Sequence, residues 1–339
     1  MSTRKTKGRL SRRSVLKLGA VAATGMLAPH VVTRAADPAV MKLGTDVPLD
    51  HPYNVSFEAW KSMLEEGTEG RVTASLYPDA QLGGEEDMVN GLKIGSVDGC
   101  YSSPGIMTPY VPEVGVCDLP FIFRDVDHTI RATNGPIAER YEAKVENAIG
   151  AEIVGWRALG SRDMWNNTRP IKTPDDVVGL KMRTQTSRMQ QATYLALDAL
   201  PTPLPFVEIY TAIQTGVVDG ADVGIPDITA MKFYEVAKYL SLTGHVFVAV
   251  PLNVSRKFLS KLNSKDQDAV LESGTKVLDV MQTAQKEQYE QGLEFVANAG
   301  MEVTRDVDRA AFAEKTDVVI QENAEQLGGL ELVEAIRAA

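Results

Sequence analysis

Apolar and polar residues follow two different periods along this chain, and the switches between them mark its elements. Residues 40–45 alternate as a strand, 54–66 place apolar side chains at helical spacing, 72–77 return to a strand, and 85–94 form a helix that Gly95 closes. A strand–helix–strand–helix opening predicts an α/β lobe with a largely parallel sheet. Residues 151–158 and 163–167 read as strands leaving that lobe. Thr173-Pro174-Asp175-Asp176 then reads as a helix start, with a Thr N-cap, Pro at the first helical position and acids in the first turn. A strand over 180–183 and a helix from about Ser187 follow. Ser264-Lys265-Asp266-Gln267 opens a capping-box helix that no proline interrupts, expected over 264–298. At 1.5 Å per residue it is about 50 Å long, more than one lobe requires. It is expected as a strut across two lobes, with Val270, Val277, Met281 and Leu293 as packing positions.

One motif occurs twice. LKIGSVDG ends at Gly99 and IQTGVVDG ends at Gly220, so Gly95 pairs with Gly216, Val97 with Val218, and Asp98 with Asp219 at one constant offset. Two such units suggest two similar lobes facing one cleft, although a C-cap glycine and an Asp-Gly turn are each common. The residues just beyond each copy are then expected to line the cleft: Tyr101, Ser102 and Ser103 from one side, Asp222, Val223 and Gly224 from the other. The same offset matches Glu85 with Phe206, each near a helix start. Tyr101 and Phe206 are placed to sandwich a carbon skeleton, with Asp222 and Glu85 as hydroxyl acceptors. Asp98 and Asp219 are expected to fix their own turns.

Residues 1–36 are read separately. Basic residues over 4–9, Arg12-Arg13 before Val15-Leu16-Lys17, an apolar run over 18–27, and Arg34 before Ala35 and Ala36 form the pattern of a twin-arginine export signal, which predicts a periplasmic protein. That apolar run is too short for a permanent bilayer span. Eight of the 35 Lys and Arg and none of the 45 Asp and Glu lie in this segment; the remainder carries 27 cations against 45 acids, a net charge of −18. Nucleic acid is thereby excluded as a partner, and an anionic ligand must be held by local arginines. Some 300 residues exceed what one core usually serves. The expected division is 37–158 with part of 240–339 in lobe 1 and 159–239 in lobe 2, joined by several crossing segments that permit hinge closure. Cys100 and Cys117 are the two cysteines. They are too few for an iron–sulfur cluster or a zinc knuckle, and their spacing leaves open whether they pair.

Arg183 is the leading candidate for ligand binding. It ends an apolar strand and precedes a helix start, so its planar guanidinium and neighbouring backbone N–H groups suit a carboxylate, although an ion pair would also account for it. Arg162, in Gly160-Ser161-Arg162-Asp163, is a natural second donor. HExxH, GxSxG, phosphate-loop and GxGxxG motifs are absent, and His51, His128 and His245 are scattered. No enzymatic activity, cofactor or metal is expected. Two other readings stay open: a periplasmic enzyme acting on an organic acid, and a receptor feeding a sensor kinase.

Five segments carry a family likeness: YPDAQLGGEEDMVNGLKIGSVDG, DLPFIFRDVDH, NNTRPIKTPDDVVGLKMR, FVEIYTAIQTGVVDGADVGIPD and KFYEVAKYLSLTGH. Together they resemble the extracytoplasmic solute receptors of TRAP transporters, the dicarboxylate-receptor-like family. The resemblance implies a two-lobed periplasmic-binding-protein fold with hinge strands and a long C-terminal helix spanning both lobes. It also implies an organic-acid ligand, delivery to a permease of two membrane subunits, and a monomer. By motif it assigns the ligand carboxylate to Arg183, assisted by Arg162, and further pocket positions to Asp46, Glu85, Tyr101, Ser103, Thr186, Phe206 and Asp222. Val223 stands where many relatives carry an asparagine that reaches the carboxylate, which favours a smaller sugar acid over sialic acid.

Overall fold

The computed structural model describes residues 37–339, and the export-signal expectation lies outside them. Nine strands occur among the described residues: β1 (Ala39–Gly44), β2 (Val72–Tyr77), β3 (Gly99–Tyr101), β4 (Ala151–Asn166), β5 (Lys181–Thr184), β6 (Leu200–Pro203), β7 (Gly220–Val223), β8 (Tyr239–Ser255) and β9 (Glu302–Thr304). Their order, β2-β1-β3-β8-β4-β7-β5-β6 with β9 beside β8, reads the same from either edge. On one side β1 lies parallel to β2 and β3, and β3 runs antiparallel to β8. On the other side β5 lies parallel to β6 and β7, and β7 runs antiparallel to β4. Helices Pro52–Gly67 and Glu85–Ile94 connect the first three strands, and Arg188–Ala196 and Ile209–Gln214 connect the second three. Each half is therefore one strand–helix–strand–helix–strand unit completed by a long strand from the centre.

Those two central strands, β4 and β8, run antiparallel through both halves and form the hinge. The 151–158 and 163–167 segments expected as separate strands belong to the single strand β4, whose register against β8 shifts between Ala158 and Ser161 and again between Arg162 and Met164. Gly160 takes φ +90 at the Ala158/Ser161 shift, which follows an earlier one at Ile153/Gly155, and the strand keeps its partner through both. The helix expected after Thr173 is one 3₁₀ turn, Pro174–Val177. Its start signals are real, since Asp176 accepts from the Thr173 backbone N–H at 2.8 Å, but Val178 leaves helical geometry at once.

Helix Ser264–Asn298 spans both lobes, capped by Asn263 rather than Ser264: the Asn263 side chain accepts from the Asp266 N–H at 3.0 Å. It meets the first half where Gly274 lets it approach Trp60, whose indole N–H donates to Ser273 at 2.9 Å. It meets the second half where Gly292 faces Ile225; a Cβ there would lie 2.8 Å from that side chain. Val270, Val277 and Met281 are fully buried with the first half's core of Met41, Leu43 and Phe57, whereas Leu293 packs half-buried against the second core around Trp165 and Phe233. Cys100 and Cys117 are both buried free thiols.

Candidate functional site

The doubled motif builds the same local device in each lobe. Gly95 and Gly216 take φ +83 and +75, turning the chain back under its helix so that Val97 and Val218 are buried. The Asp98 amide donates to Lys42 O at 2.9 Å and its carboxylate accepts the Lys42 amide at 2.9 Å. Asp219 does the same with Lys181, at 2.7 and 2.8 Å. Each aspartate thus pins β3 to β1, or β7 to β5, and the next residues are delivered to the cleft at the carboxyl ends of the strands, where open α/β sheets bind ligands.

Thr45 and Asp46 beyond β1, Tyr101 at the end of β3 and Ser103 beyond it, Arg162 from β4, Gln185 beyond β5, and Val223 at the end of β7 with Gly224 beyond it line one cavity, together with Glu85, Phe206, Tyr53 and Asp227. An adjoining chamber of about 310 Å³ adds Arg183, Thr186 and Pro205 to Asp46, Glu85 and Phe206. The inner cavity itself has only about 50 Å³ of free space, and hydrogen bonds between His51 and Asp227 and between Gln185 and Ser103 join the two sides around it. Of the twelve residues expected at the cleft, ten surround this space, with Thr186 exposed at its rim. Ser102 does not: it is fully buried and accepts from the Asn253 side-chain amide at 2.9 Å.

Asp222 is the other exception and lines neither chamber. Its Oδ2 lies 3.0 Å from His245 Nε2, and Arg162 Nη1 donates to its carbonyl at 3.0 Å, with the carboxylate Oδ1 at 3.8 Å. Its carboxylate, expected as a hydroxyl acceptor, lies beside Arg162 and His245, and its Oδ1 is buried without a hydrogen-bond partner among the described residues. Burial opposes ionisation of Asp222, but Arg162, His245 and Arg183 together hold its carboxyl below the usual range. Burial likewise opposes the charge on Arg162, and Asp222, Asp118 and Asp227 overcome it.

Arg183 is different. Its guanidinium is 2 % exposed, its Nε donates to Leu204 O at 2.9 Å, and its Nη1 is buried without a hydrogen-bond partner among the described residues. Burial first, and then repulsion from Arg162, bring its pKa down to about 10 despite Asp222, Glu85 and Asp46. A buried cation with a free donor is costly unless an anion completes it. Across the cavity the balance is reversed. Burial and the neighbouring Asp46 push Glu85 up to about 8, and burial raises Asp46 to about 6 with Asp227 adding to it. Glu85 is thus pushed toward its protonated form by burial and Asp46, against the Ser103 N–H and hydroxyl, which donate to its two oxygens.

Sequence reasoning passed over Gln185, Asp227, His51 and Tyr53. Gln185 stands two residues beyond Arg183 in a polar run, Asp227 resembles an ordinary helix-cap acid, and His51 resembles one of several scattered histidines. The signal for all three is contact between lobes: Gln185 bonds Ser103 and His51 bonds Asp227.

The geometry has counterparts among known proteins. The sequence profile of the DctP family, bacterial extracellular solute-binding protein family 7, matches residues 43–327. A TRAP periplasmic solute-binding protein from Polaromonas sp. JS666, solved with bound D-erythronate, superposes with a TM-score of 0.85 at 32% identity, covering 89% of this chain and 99% of that one. Another from Sulfitobacter sp. NAS-14.1, solved with β-D-galacturonate, gives a TM-score of 0.83 at 28% identity over 88% of this chain and 100% of that one. The 2,3-diketo-L-gulonate-binding periplasmic protein of Escherichia coli K12 is 29% identical over 81% of this chain and 83% of its own length. Family and neighbours are substrate-binding receptors rather than enzymes, and periplasmic where their location is stated. The chain belongs to family 7 of the bacterial extracellular solute-binding proteins, the solute receptors of TRAP transporters.

Proposed function

We propose that the protein captures a hydroxylated monocarboxylate, a sugar acid of the aldonate or uronate class, and hands it to the two membrane subunits of a TRAP permease. The observation that carries this reading is Arg183, a buried guanidinium whose Nη1 has no partner among the described residues. A ligand carboxylate completes it, with Arg162 as the second donor and Thr186 at the rim. Tyr101 and Phe206 hold the carbon skeleton, and Val223 supplies an apolar wall. Asp46, Glu85 and Ser103 take the hydroxyls, Glu85 as a donor through its proton. Three acids on that side, Asp46, Glu85 and Asp227, leave a second carboxylate without a cation, which disfavours dicarboxylates. The acids bound to the Polaromonas and Sulfitobacter proteins fit this division of charge.

In this reading residues 37–158 with part of 240–339 form one lobe and 159–239 the other, and closure on the ligand is what the permease recognises. Residues 1–36 direct export by the twin-arginine route, and the receptor works as a monomer. The test is a thermal-shift screen against sugar acids, dicarboxylates and neutral sugars, followed by calorimetry on the best binder. Arg183→Ala is expected to cost about 2–5 kcal/mol of binding. Unchanged affinity in that variant, or shifts from neutral sugars alone, overturns the assignment.

A further inference from the structure

Two buried side-chain hydrogen bonds cross the cleft, and each joins a residue beyond the first strand of one lobe to a residue beyond the third strand of the other. His51 Nε2 lies 3.1 Å from Asp227 Oδ1, joining the start of helix Pro52–Gly67 to helix Ile225–Ala230. Gln185 Nε2 donates to Ser103 Oγ at 2.8 Å, joining the segment after β5 to the start of helix Pro104–Met107. Ser103 and Gly224 are counterpart positions just beyond the two copies of the VDG motif, and each begins a short helix.

We propose that His51 and Asp227 form an interlobe latch, with Gln185 and Ser103 as its counterpart, that is made on closure and sets how long a ligand stays bound. The proposal rests on the reading that the lobes open and close around a ligand. His51 caps its own helix: Nδ1 accepts from the Tyr53 N–H at 3.3 Å. With Nδ1 an acceptor, the ring proton of neutral His51 sits on Nε2 and is donated to the Asp227 carboxylate. Asp227 is anchored in the same way, its Oδ2 accepting the Gly224 N–H at 3.1 Å to complete the capping box. Each partner thus holds its own lobe with one atom and reaches across with the other. Both side chains are withdrawn from water, at 0 % and 10 % exposure, so opening the cleft exchanges a protected bond for hydration.

The latch also touches the ligand wall. The His51 ring stands edge-on to Tyr53 at 4.7 Å, and Tyr53 stacks on Tyr101 at 4.5 Å, both of them cavity residues. A ligand that seats against Tyr101 and Tyr53 therefore braces the ring that reaches Asp227. On the other side Gln190 donates to Gln185 Oε1 at 2.8 Å and accepts the Gln185 N–H at 3.1 Å, which aims the free amide at Ser103. His51 and Gln185 act as positioning residues: they hold the closed state and leave the carboxylate to Arg183.

His51→Asn separates latch from fold, since asparagine is a good N-cap but too short to reach Asp227. The readouts are X-ray scattering of the ligand-free protein and stopped-flow dissociation of D-erythronate, or of D-galacturonate if erythronate does not bind. His51→Asn is expected to shift scattering toward the open form and to raise the dissociation rate about tenfold, with association unchanged. His51→Gln, which keeps an N–H donor of similar reach, is expected to recover most of both. Arg183→Ala is expected to lose binding without changing the ligand-free scattering. Wild-type scattering and dissociation in His51→Asn overturn the latch. If the wild-type protein binds no acid, the carboxylate reading fails instead, and scattering alone decides the latch.

Discussion

In the first lobe Asp98 accepts the amide of Lys42, and Tyr101, three residues on, stacks against Tyr53 and Phe57; in the second, Asp219 accepts the amide of Lys181, and Asp222, at Tyr101's position, holds His245 and lies behind Arg162. The turn chemistry is the same in both halves while the delivered residues differ in kind. One half presents aromatic surface and protonatable acid. The other presents cations and the carboxylate that steadies them. That asymmetry suits the proposed ligand, with one charged end and one hydroxylated end, better than a symmetric pair of lobes would.

The comparison breaks hardest at Asp222. Asp222→Ala leaves Arg162 and Arg183 buried side by side with the nearest compensating charge removed, and is expected to cost about 3–5 kcal/mol of stability in chemical denaturation. A loss under 1 kcal/mol would mean that Arg162 is neutralised by Asp118 and Asp227 instead. The paired turn residues come next. Asp98→Ala and Asp219→Ala each strip a buried backbone N–H of its acceptor, about 1–3 kcal/mol. Asp98 is expected to cost more, because it is 2 % exposed while the Asp219 side chain is 28 % exposed and water can replace it. Equal losses would show that burial does not distinguish the two turns.

Much of this was legible from sequence. The VDG echo marked two units, placed Tyr101, Ser103, Val223 and Phe206 at one cavity, and rightly kept Asp98 and Asp219 for their own turns. Periodicity found the strand over 72–77 and the helix over 85–94 with their observed bounds, because each has sharp punctuation: Gly84 before the helix and Gly95 after it. It failed where tertiary pairing overrides local pattern. The bulge at Gly160 looked like a break because the continuity of β4 comes from β8, some eighty residues later. The surroundings of Asp222 escape the local pattern for a related reason. Its offset placed it on the correct strand, but which way its carboxylate turns depends on His245, a residue with no local sequence relation to it.

Glu85 and Phe206 are counterparts too, and they give the two lobes different responses to pH. Glu85 is raised to about 8 from 4.5, and Asp46 to about 6 from 3.8, each by burial first. A carboxyl whose folded pKa is raised binds more protons folded than unfolded, so its contribution is full below about 4.5 for Glu85 and is lost as pH rises through about 8. The ligand-free closed form is therefore expected to melt at progressively lower temperature from pH 5 to pH 8.5. Glu85→Gln should flatten the upper part of that decline, while Phe206→Ala should lower the whole curve and leave its slope alone. A slope that Glu85→Gln leaves intact would move the titration to another group.

The smallest expected effect is the most pointed check on the asymmetry. Tyr101 is buried, yet its hydroxyl has one modest partner, Ser56, at 2.9 Å, and the rest of its contact is ring against ring. Tyr101→Phe keeps the stack and removes only that bond, so it should cost about 0.5–1.5 kcal/mol of stability by denaturation. Sugar-acid affinity should stay within about threefold, because the hydroxyl is engaged by Ser56 and the proposed ligand contact is made by the ring. Tyr101→Ala should cost far more through the lost aromatic surface. If Tyr101→Phe weakens binding as much as Tyr101→Ala, the first lobe reads hydroxyls through Tyr101 as well as through its acids, and the division of labour between the two VDG units is less sharp than their side chains suggest.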